Sequence, residues 1–344
     1  MSAQTSQPLL SVDNLSIAFP TANGLAYAVN QFSYQLWPQE VLGIVGESGC
    51  GKSLSSLAIL RLIPSPGKIL SGEILFDGHD LMHFSEQSMR KIRGAKIAFI
   101  PQDPLSALNP VYTVGNQIIE IIRLHQHLSH QAAQKLAIDL LDRVRIPEAK
   151  SRLNAYPHEF SGGMRQRVMI AMALSCNPML IIADEPTTAL DVTVQAQILD
   201  LLHEIRQTMK TAVIFITHDL GVVAETCDRV LVMYAGRCIE EASVQALFET
   251  PKHPYTRGLL EALPSKNKSR LTPIEGQPPR LTEMPAGCAF EPRCAERMNV
   301  CKSAPPTKTA LDKTTREQNK KDEEADETPM TEQKVACYLY DDAQ

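Results

Sequence analysis

Gly46, Glu47, Ser48, Gly49, Cys50, Gly51, Lys52 and Ser53 fit the spacing G-x-x-x-x-G-K-[ST]. Glycines at these places let the backbone curl until its N–H groups face one anion. If a helix follows, its N-terminus adds partial positive charge at the same spot. Lys52 is then placed to bridge the outer phosphates of a nucleotide, and the Ser53 hydroxyl to ligate Mg²⁺. The bland alternative is an ordinary glycine turn. The apolar run EVLGIVG before it and a helical pattern after it argue for the phosphate reading.

A second pair of groups sits at the end of the apolar run MLIIA. Asp184 and Glu185 would lie at the carboxyl end of a buried strand, where parallel sheets bind ligands. Asp184 is the natural second Mg²⁺ partner. Glu185, one residue on, can orient or deprotonate a water for in-line attack. In isolation a solvated Asp-Glu pair would be the better reading; beside a phosphate loop it is not. Ser161, Gly162 and Gly163 precede another helical stretch and make a second anion-binding helix start. Cys288, Cys294, Cys301 and Cys337 crowd the proline-rich tail, and four thiolates there can hold a metal and staple a segment that lacks a core. Their spacing, Cys-x₅-Cys-x₆-Cys, lacks the Cys-x₂-Cys pairs of a zinc ribbon.

These residues need a frame. Residues 10–19 and 27–37 alternate apolar and polar and read as two half-buried strands joined by TANG. Dense runs at 40–46, 179–183, 212–216 and 229–233 read as buried parallel strands, with further strands at 73–77 and 96–101. Helices are expected over 52–62, 193–207 and 219–226. Strands alternating with helices give a parallel sheet covered on both faces. Helical spacing through IIEIIRL and LAIDLLDRV predicts an all-helical insertion, with another helix opening at Ser161. Past Pro264 prolines multiply, and 312–328 is almost purely polar, which predicts disorder.

Composition agrees with an ordinary globular chain: 44% hydrophobic and 21% charged over 344 residues, one large domain plus a smaller one. The net charge is −5, and the short basic clusters at 90–93, 165–167 and 266–270 do not outweigh it, so no nucleic-acid partner is expected. No apolar run reaches the ~18 residues of a membrane span, and the N-terminus lacks a secretory pattern. Residence in the cytosol is expected, where eight cysteines would stay unpaired by disulfides.

With the phosphate loop and the Asp184–Glu185 pair in place, four further features resemble the ATP-binding-cassette (ABC) ATPases. Gln102 follows KIAFIP and resembles the glutamine that senses Mg²⁺ and water. Phe160, Ser161, Gly162, Gly163 and Met164 resemble the LSGGQ signature, with Phe160 and Met164 as departures that remove no backbone N–H. Ala189, Leu190 and Asp191 resemble the loop joining two subunits. His218 resembles the switch histidine that contacts the terminal phosphate. The resemblance implies a P-loop, RecA-like α/β ATPase core with an antiparallel β subdomain and a helical subdomain near 104–175. It implies that two such subunits close on ATP, each SGG turn serving its partner's nucleotide. It also places an aromatic against adenine at Phe19, with Tyr27 as competitor.

The stretches HPYTRGLLEALP (253–264) and GQPPRL…PAGCAFEPRC narrow the resemblance to ATPase subunits of oligopeptide and dipeptide importers, over Leu10 to Leu339. That branch implies a nucleotide-binding domain over 1–263. A small, irregular, Cys-containing domain would follow over 264–344, interrupted by a polar insert near 307–333. It implies a [4Fe–4S] cluster on Cys288, Cys294, Cys301 and Cys337, with zinc or free thiols as alternatives. It further implies two membrane permeases, a second and different ATPase subunit, an extracytoplasmic solute-binding protein, and a peripheral place on the cytoplasmic face of the bacterial inner membrane. Peptides are the implied cargo, and nickel complexes or other peptide-like solutes remain open.

Overall fold

The computed structural model of the chain describes residues 7–188, 190–263, 273–311 and 332–341. Strands β1 (Leu10–Thr21) and β2 (Gly24–Leu36) form the expected hairpin. After it comes β3 (Val41–Val45), buried at every position. Helix α1 (Lys52–Ile59) ends three residues earlier than expected. Arg61 turns left-handed (φ 53°), and the Leu62 N–H reaches back to the Leu57 carbonyl at 2.9 Å, a Schellman-type stop that precedes Pro64. Strand β4 (Lys68–Phe76) starts earlier than the expected 73–77 because its first half pairs with β1. With β5 (His79–Asp80) it completes a four-stranded sheet in the order β2-β1-β4-β5, antiparallel throughout.

Helix α2 (Glu86–Ile92), capped by Ser85, leads to β6 (Ile97–Ile100). The helical region then comprises α3 (Pro104–Ala107), α4 (Val114–Gln126), α5 (His130–Arg143), α6 (Ala149–Arg152) and α7 (Gly162–Leu174). Thr113, Ser129 and Ser161 cap α4, α5 and α7 with their side-chain oxygens, so local chemistry sets where each helix starts. Next come β7 (Leu180–Asp184), α8 (Val192–Met209), β8 (Ala212–Thr217), α9 (Leu220–Thr226), β9 (Arg229–Tyr234) and β10 (Arg237–Ser243). Helices α10 (Val244–Glu249) and α11 (Pro254–Glu261) follow, then the two-residue strands β11 (Thr309–Ala310) and β12 (Lys334–Val335).

The second sheet runs β11-β12-β10-β9-β3-β8-β7-β6. From β9 to β6 all neighbours are parallel, which puts the loops after β3, β6, β7 and β8 at one carboxyl edge. The expected disorder of 307–333 needs correction at its flanks. Thr309 pairs with Val335, and Glu240 of β10 pairs with Val335 on its other side. Val335 is fully buried, so this ladder is fixed by burial as well as by hydrogen bonds. The remainder of that polar insert, 312–331, lies outside the described residues.

A buried charge cluster anchors this sheet edge: Arg229, 3% exposed, meets Glu40 and Glu241, and Lys308 reaches Glu241 as well. Nearby, Tyr234, Tyr255 and Phe290 pack in tilted and edge-to-face pairs with ring centroids 4.7, 5.3 and 5.4 Å apart. Each such pair adds about 0.5–1.5 kcal/mol beyond its buried area, and together they weld the tail to the end of β9.

Candidate functional site

The phosphate loop leaves β3 at Gly46, whose φ of 154° and position leave no room for a side chain. A Cβ there would stand 2.1 Å from the Met233 carbonyl oxygen. The β9–β10 turn therefore forms the floor of the loop, and Gly236 N–H donates to the Cys50 carbonyl at 3.0 Å. Lys52 is buried, its ammonium donating to the carbonyls of Gly46 (2.8 Å) and Glu47 (3.0 Å). Cys50 is buried beside it, and burial pushes its thiol up despite the nearby Lys52 charge, so it stays a packed thiol.

Ser53 Oγ donates to Asp184 Oδ1 at 2.9 Å. The Asp184 carboxyl is raised above the usual range by burial, relieved in part by Ser53 and Lys52 and reinforced by Glu185. A hydroxyl and a carboxylate side by side are hard oxygen donors suited to Mg²⁺.

Glu185 follows in a left-handed conformation, φ 46°, its N–H donating to the Ile216 carbonyl of β8 at 2.9 Å. Three neighbours converge on its Oε2: Gln102 Nε2 and Thr188 Oγ1 at 2.9 Å each, and His218 Nδ1 at 3.3 Å. The carboxylate is only 14% exposed while His218 is 59% exposed, so the histidine stands at the rim. Strained backbone held by a well-bonded side chain is typical of catalytic positions. Six residues singled out from sequence thus meet at one edge: Lys52, Ser53, Gln102, Asp184, Glu185 and His218.

The signature-like turn lies elsewhere. Ser161 accepts from Met164 N–H at the start of α7, and Asp191 accepts from Val194 N–H at the start of α8. The two helix starts touch, because a Cβ on Gly163 would meet Val194 Cγ1 at 2.6 Å. Gly162 instead is exposed, and a Cβ added there would make only an ordinary contact with Leu190 Cδ2 at 3.9 Å. Ala189 lies outside the described residues.

The two candidate adenine aromatics fall on opposite faces of the β1–β2 ladder, since Ala18 pairs with Tyr27 and Phe19 with Ala26. Phe19 joins the apolar cluster that includes Leu54 of α1, its ring lying over Gly67. Tyr27 lines a cavity of about 730 Å³ shared with the tail.

Cys288, Cys294, Cys301 and Cys337 line one small cavity of about 20 Å³. The Cys288 N–H donates to the Cys301 carbonyl at 2.7 Å. Burial, with the other thiols adding, raises Cys288 and Cys294 and pushes Cys337 up to about 11. Among the described residues no three His, Cys, Asp or Glu stand gathered as a metal site.

Three contacts escaped the sequence reading. Thr188 bonds Glu185, Tyr255 Oη accepts from Glu47 N–H at 3.0 Å, and Arg293 pairs with the Glu47 carboxylate. Tyr255 and Arg293 both sit in the stretches that narrowed the family resemblance, so the signal was present without its meaning.

The ABC transporter family model matches residues 29–188, and the model for the oligopeptide/dipeptide transporter C-terminal region matches 239–301. A probable peptide ABC transporter ATP-binding protein of Sinorhizobium fredii is 52% identical, covering 87% of this chain and 90% of its own length. The oligopeptide transport ATP-binding protein OppD of Escherichia coli is 49% identical (89% and 91% covered), and the dipeptide transport ATP-binding protein DppD of Bacillus subtilis 51% (88% and 91%). Among solved structures, the ATP-binding cassette MJ0796, a dimer in a post-hydrolysis state bound to ADP and Pi, superposes with a TM-score of 0.62. It is 27% identical, with 68% of this chain and 98% of that chain covered.

Proposed function

This chain belongs to the ATP-binding subunits of ABC transporters, in the oligopeptide and dipeptide branch, and we propose that its ATPase cycle drives peptide import across a bacterial inner membrane. The observation that carries the proposal is the convergence of Lys52, Ser53, Asp184, Glu185, Gln102 and His218 on one sheet edge, in a chain whose tail matches the peptide-transporter model.

Phosphoryl transfer demands positioning and charge neutralisation. On ATP binding, Lys52 exchanges the Gly46 and Glu47 carbonyls for the outer phosphate oxygens. Ser53 and Asp184 would hold Mg²⁺, with Gln102 beside them; when bound, the ion neutralises charge building on the β- and γ-phosphates. Glu185 has one oxygen engaged by Gln102, Thr188 and His218, which leaves Oε1 to orient and deprotonate a water. That water's oxygen forms the new bond to the γ-phosphorus as the bond to the β,γ-bridging oxygen breaks, releasing ADP and phosphate. Phe19, on the face shared with Leu54 of α1, takes the adenine.

The bare Gly162 at the start of α7 favours a ligand from outside the chain: the nucleotide of a facing ATPase subunit, held at Ser161, Gly162 and Gly163, with Asp191 beside them. That partner is a second, different ATPase. The permease grips the helical region, where Leu105, Val111, Tyr112 and Tyr156 are exposed around the segment after Gln102. No helix among the described residues is long and apolar enough to cross a membrane, which fits a peripheral subunit on the cytoplasmic face. A solute-binding protein outside delivers the cargo. The domains divide at 263/264.

The donor set Cys288, Cys294, Cys301 and Cys337 suits a [4Fe–4S] cluster, which would staple the tail covalently. Zn²⁺ on the same four thiols is the second reading, since four thiolates also suit a single tetrahedral ion. Iron and zinc contents of anaerobically purified protein separate the two.

The test of the transport reading is an oxygen-free pull-down from detergent-solubilised membranes. Two multi-span permeases and a second ATPase are expected. Recovery of soluble partners alone would overturn it.

A further inference from the structure

The guanidinium of Arg293 lies next in sequence to Cys294 and 5% exposed, yet its main partner is in the phosphate loop. It grips both carboxylate oxygens of Glu47, Nη1 to Oε2 at 2.8 Å and Nη2 to Oε1 at 3.0 Å. The remaining donors reach the Glu275 carbonyl (3.0 Å), the Tyr234 hydroxyl (3.3 Å) and the Ile274 carbonyl (3.4 Å). All three guanidinium nitrogens are engaged, a degree of fixation that only the planar fork of arginine allows. Desolvation, which alone would weaken its charge, is outweighed by Glu47 and Tyr234, so the group stays ionised.

Tyr255 takes the same loop residue by its main chain. Its hydroxyl accepts from Glu47 N–H while its ring is fully buried against Tyr234 and Phe290. The Glu47 carbonyl, on the other side of the residue, accepts from Lys52 Nζ. One loop residue is therefore held at its side chain by Arg293 and at its N–H by Tyr255, and it in turn holds the lysine that meets the phosphates. Neither gripping residue belongs to the sheet or to the loop; both come from the segment after β10.

We propose that Arg293 and Tyr255 are positioning residues for ATP binding: the segment after β10 reaches under the phosphate loop, clamps Glu47, and so presets Lys52. The clamp makes nucleotide affinity depend on the fold of that segment without any of its atoms touching the nucleotide. Its loss lets the loop wander before ATP arrives, which raises the KM for ATP and leaves the hydrolytic step, run by Glu185 on another strand, nearly unchanged.

The inference rests on Gly46–Ser53 being the nucleotide site, so Lys52→Ala is included to test that premise alone. The full chain is assayed for binding of a fluorescent ATP analogue, and the assembled transporter for kcat and KM. Arg293→Met is expected to raise KM about 10-fold with kcat within about 2-fold, Arg293→Lys to recover part of the loss, and metal content to stay at the wild-type level. Combining Arg293→Met with Glu47→Gln should add nothing to the worse single change. Tyr255→Phe keeps the packed ring and loses only the hydroxyl; a KM rise of about 3-fold is expected, and this variant decides the matter should Arg293→Met not fold. Unchanged KM in Tyr255→Phe and Arg293→Met, or multiplicative effects in the double variant, would overturn the clamp. Normal analogue binding by Lys52→Ala would instead overturn the nucleotide site itself.

Discussion

Replacing Glu185 by Gln isolates the water-activating role. The two side chains are nearly the same size, and the site is tightly defined: Oε2 lies 2.9 Å from Thr188 and from Gln102 and 3.3 Å from His218. A glutamine carbonyl can still accept from Thr188 and Gln102, so the fold should be retained. Removing the negative charge beside Asp184 also removes one of the influences that raise the Asp184 carboxyl, so Mg²⁺ and ATP should bind at least as well. Only the proton acceptor is lost. A general base contributes about 10²–10⁴-fold, which is about 2.7–5.4 kcal/mol at ~1.36 kcal/mol per decade. Phosphate release should therefore fall by at least about 100-fold while equilibrium ATP binding is retained. Turnover within about 10-fold of wild type would refute the assignment of Glu185 as base.

Three further outcomes follow from the same geometry. Burial raises the Asp184 carboxyl above its unfolded value, so its ionised form costs stability at neutral pH, and that cost disappears as pH falls below the unfolded value. Asp184→Asn should thus melt about 2 °C higher than wild type at pH 7, lose that advantage at acidic pH, and no longer bind ATP in a Mg²⁺-dependent way, as calorimetry and titration can check. Gly163→Ala puts a methyl 2.6 Å from Val194 Cγ1; it should cost about 1–3 kcal/mol and abolish turnover by the assembled dimer, yet leave ATP binding by the isolated chain within about 2-fold. Cys294→Ser should strip most bound metal, measured by elemental analysis, and spare the Ser53–Asp184 pair, so ATP binding separates local metal loss from global unfolding.

The phosphate loop was legible because strand, loop and helix are consecutive, and each element announces itself through burial pattern or glycine. Asp184, Gln102 and His218 were legible for a related reason: each closes a buried strand, and parallel strands carry their ends to one edge. What escaped was long-range pairing. The contact of Arg293 with Glu47 spans 246 residues, and no local pattern encodes it. Nor does any local pattern encode the pairing of β10 with β12, which hydrogen bonds and the burial of Val335 hold together. Helix α11 did carry a local signal, His253 capping a helix with Pro254 at its first turn, yet HPYTR served only as a mark of the family branch. Which face of the hairpin Phe19 and Tyr27 each take depended on strand register, which a turn of two residues fixes but composition does not.

The most direct test of the account is transport itself. The assembled transporter is placed in proteoliposomes with ATP on the side of this subunit and a labelled peptide with its binding protein on the other. Peptide should accumulate only with hydrolysable ATP, and Glu185→Gln should abolish accumulation while ATP remains bound. Accumulation that persists without hydrolysis, or ATP turnover that never moves peptide, would contradict it.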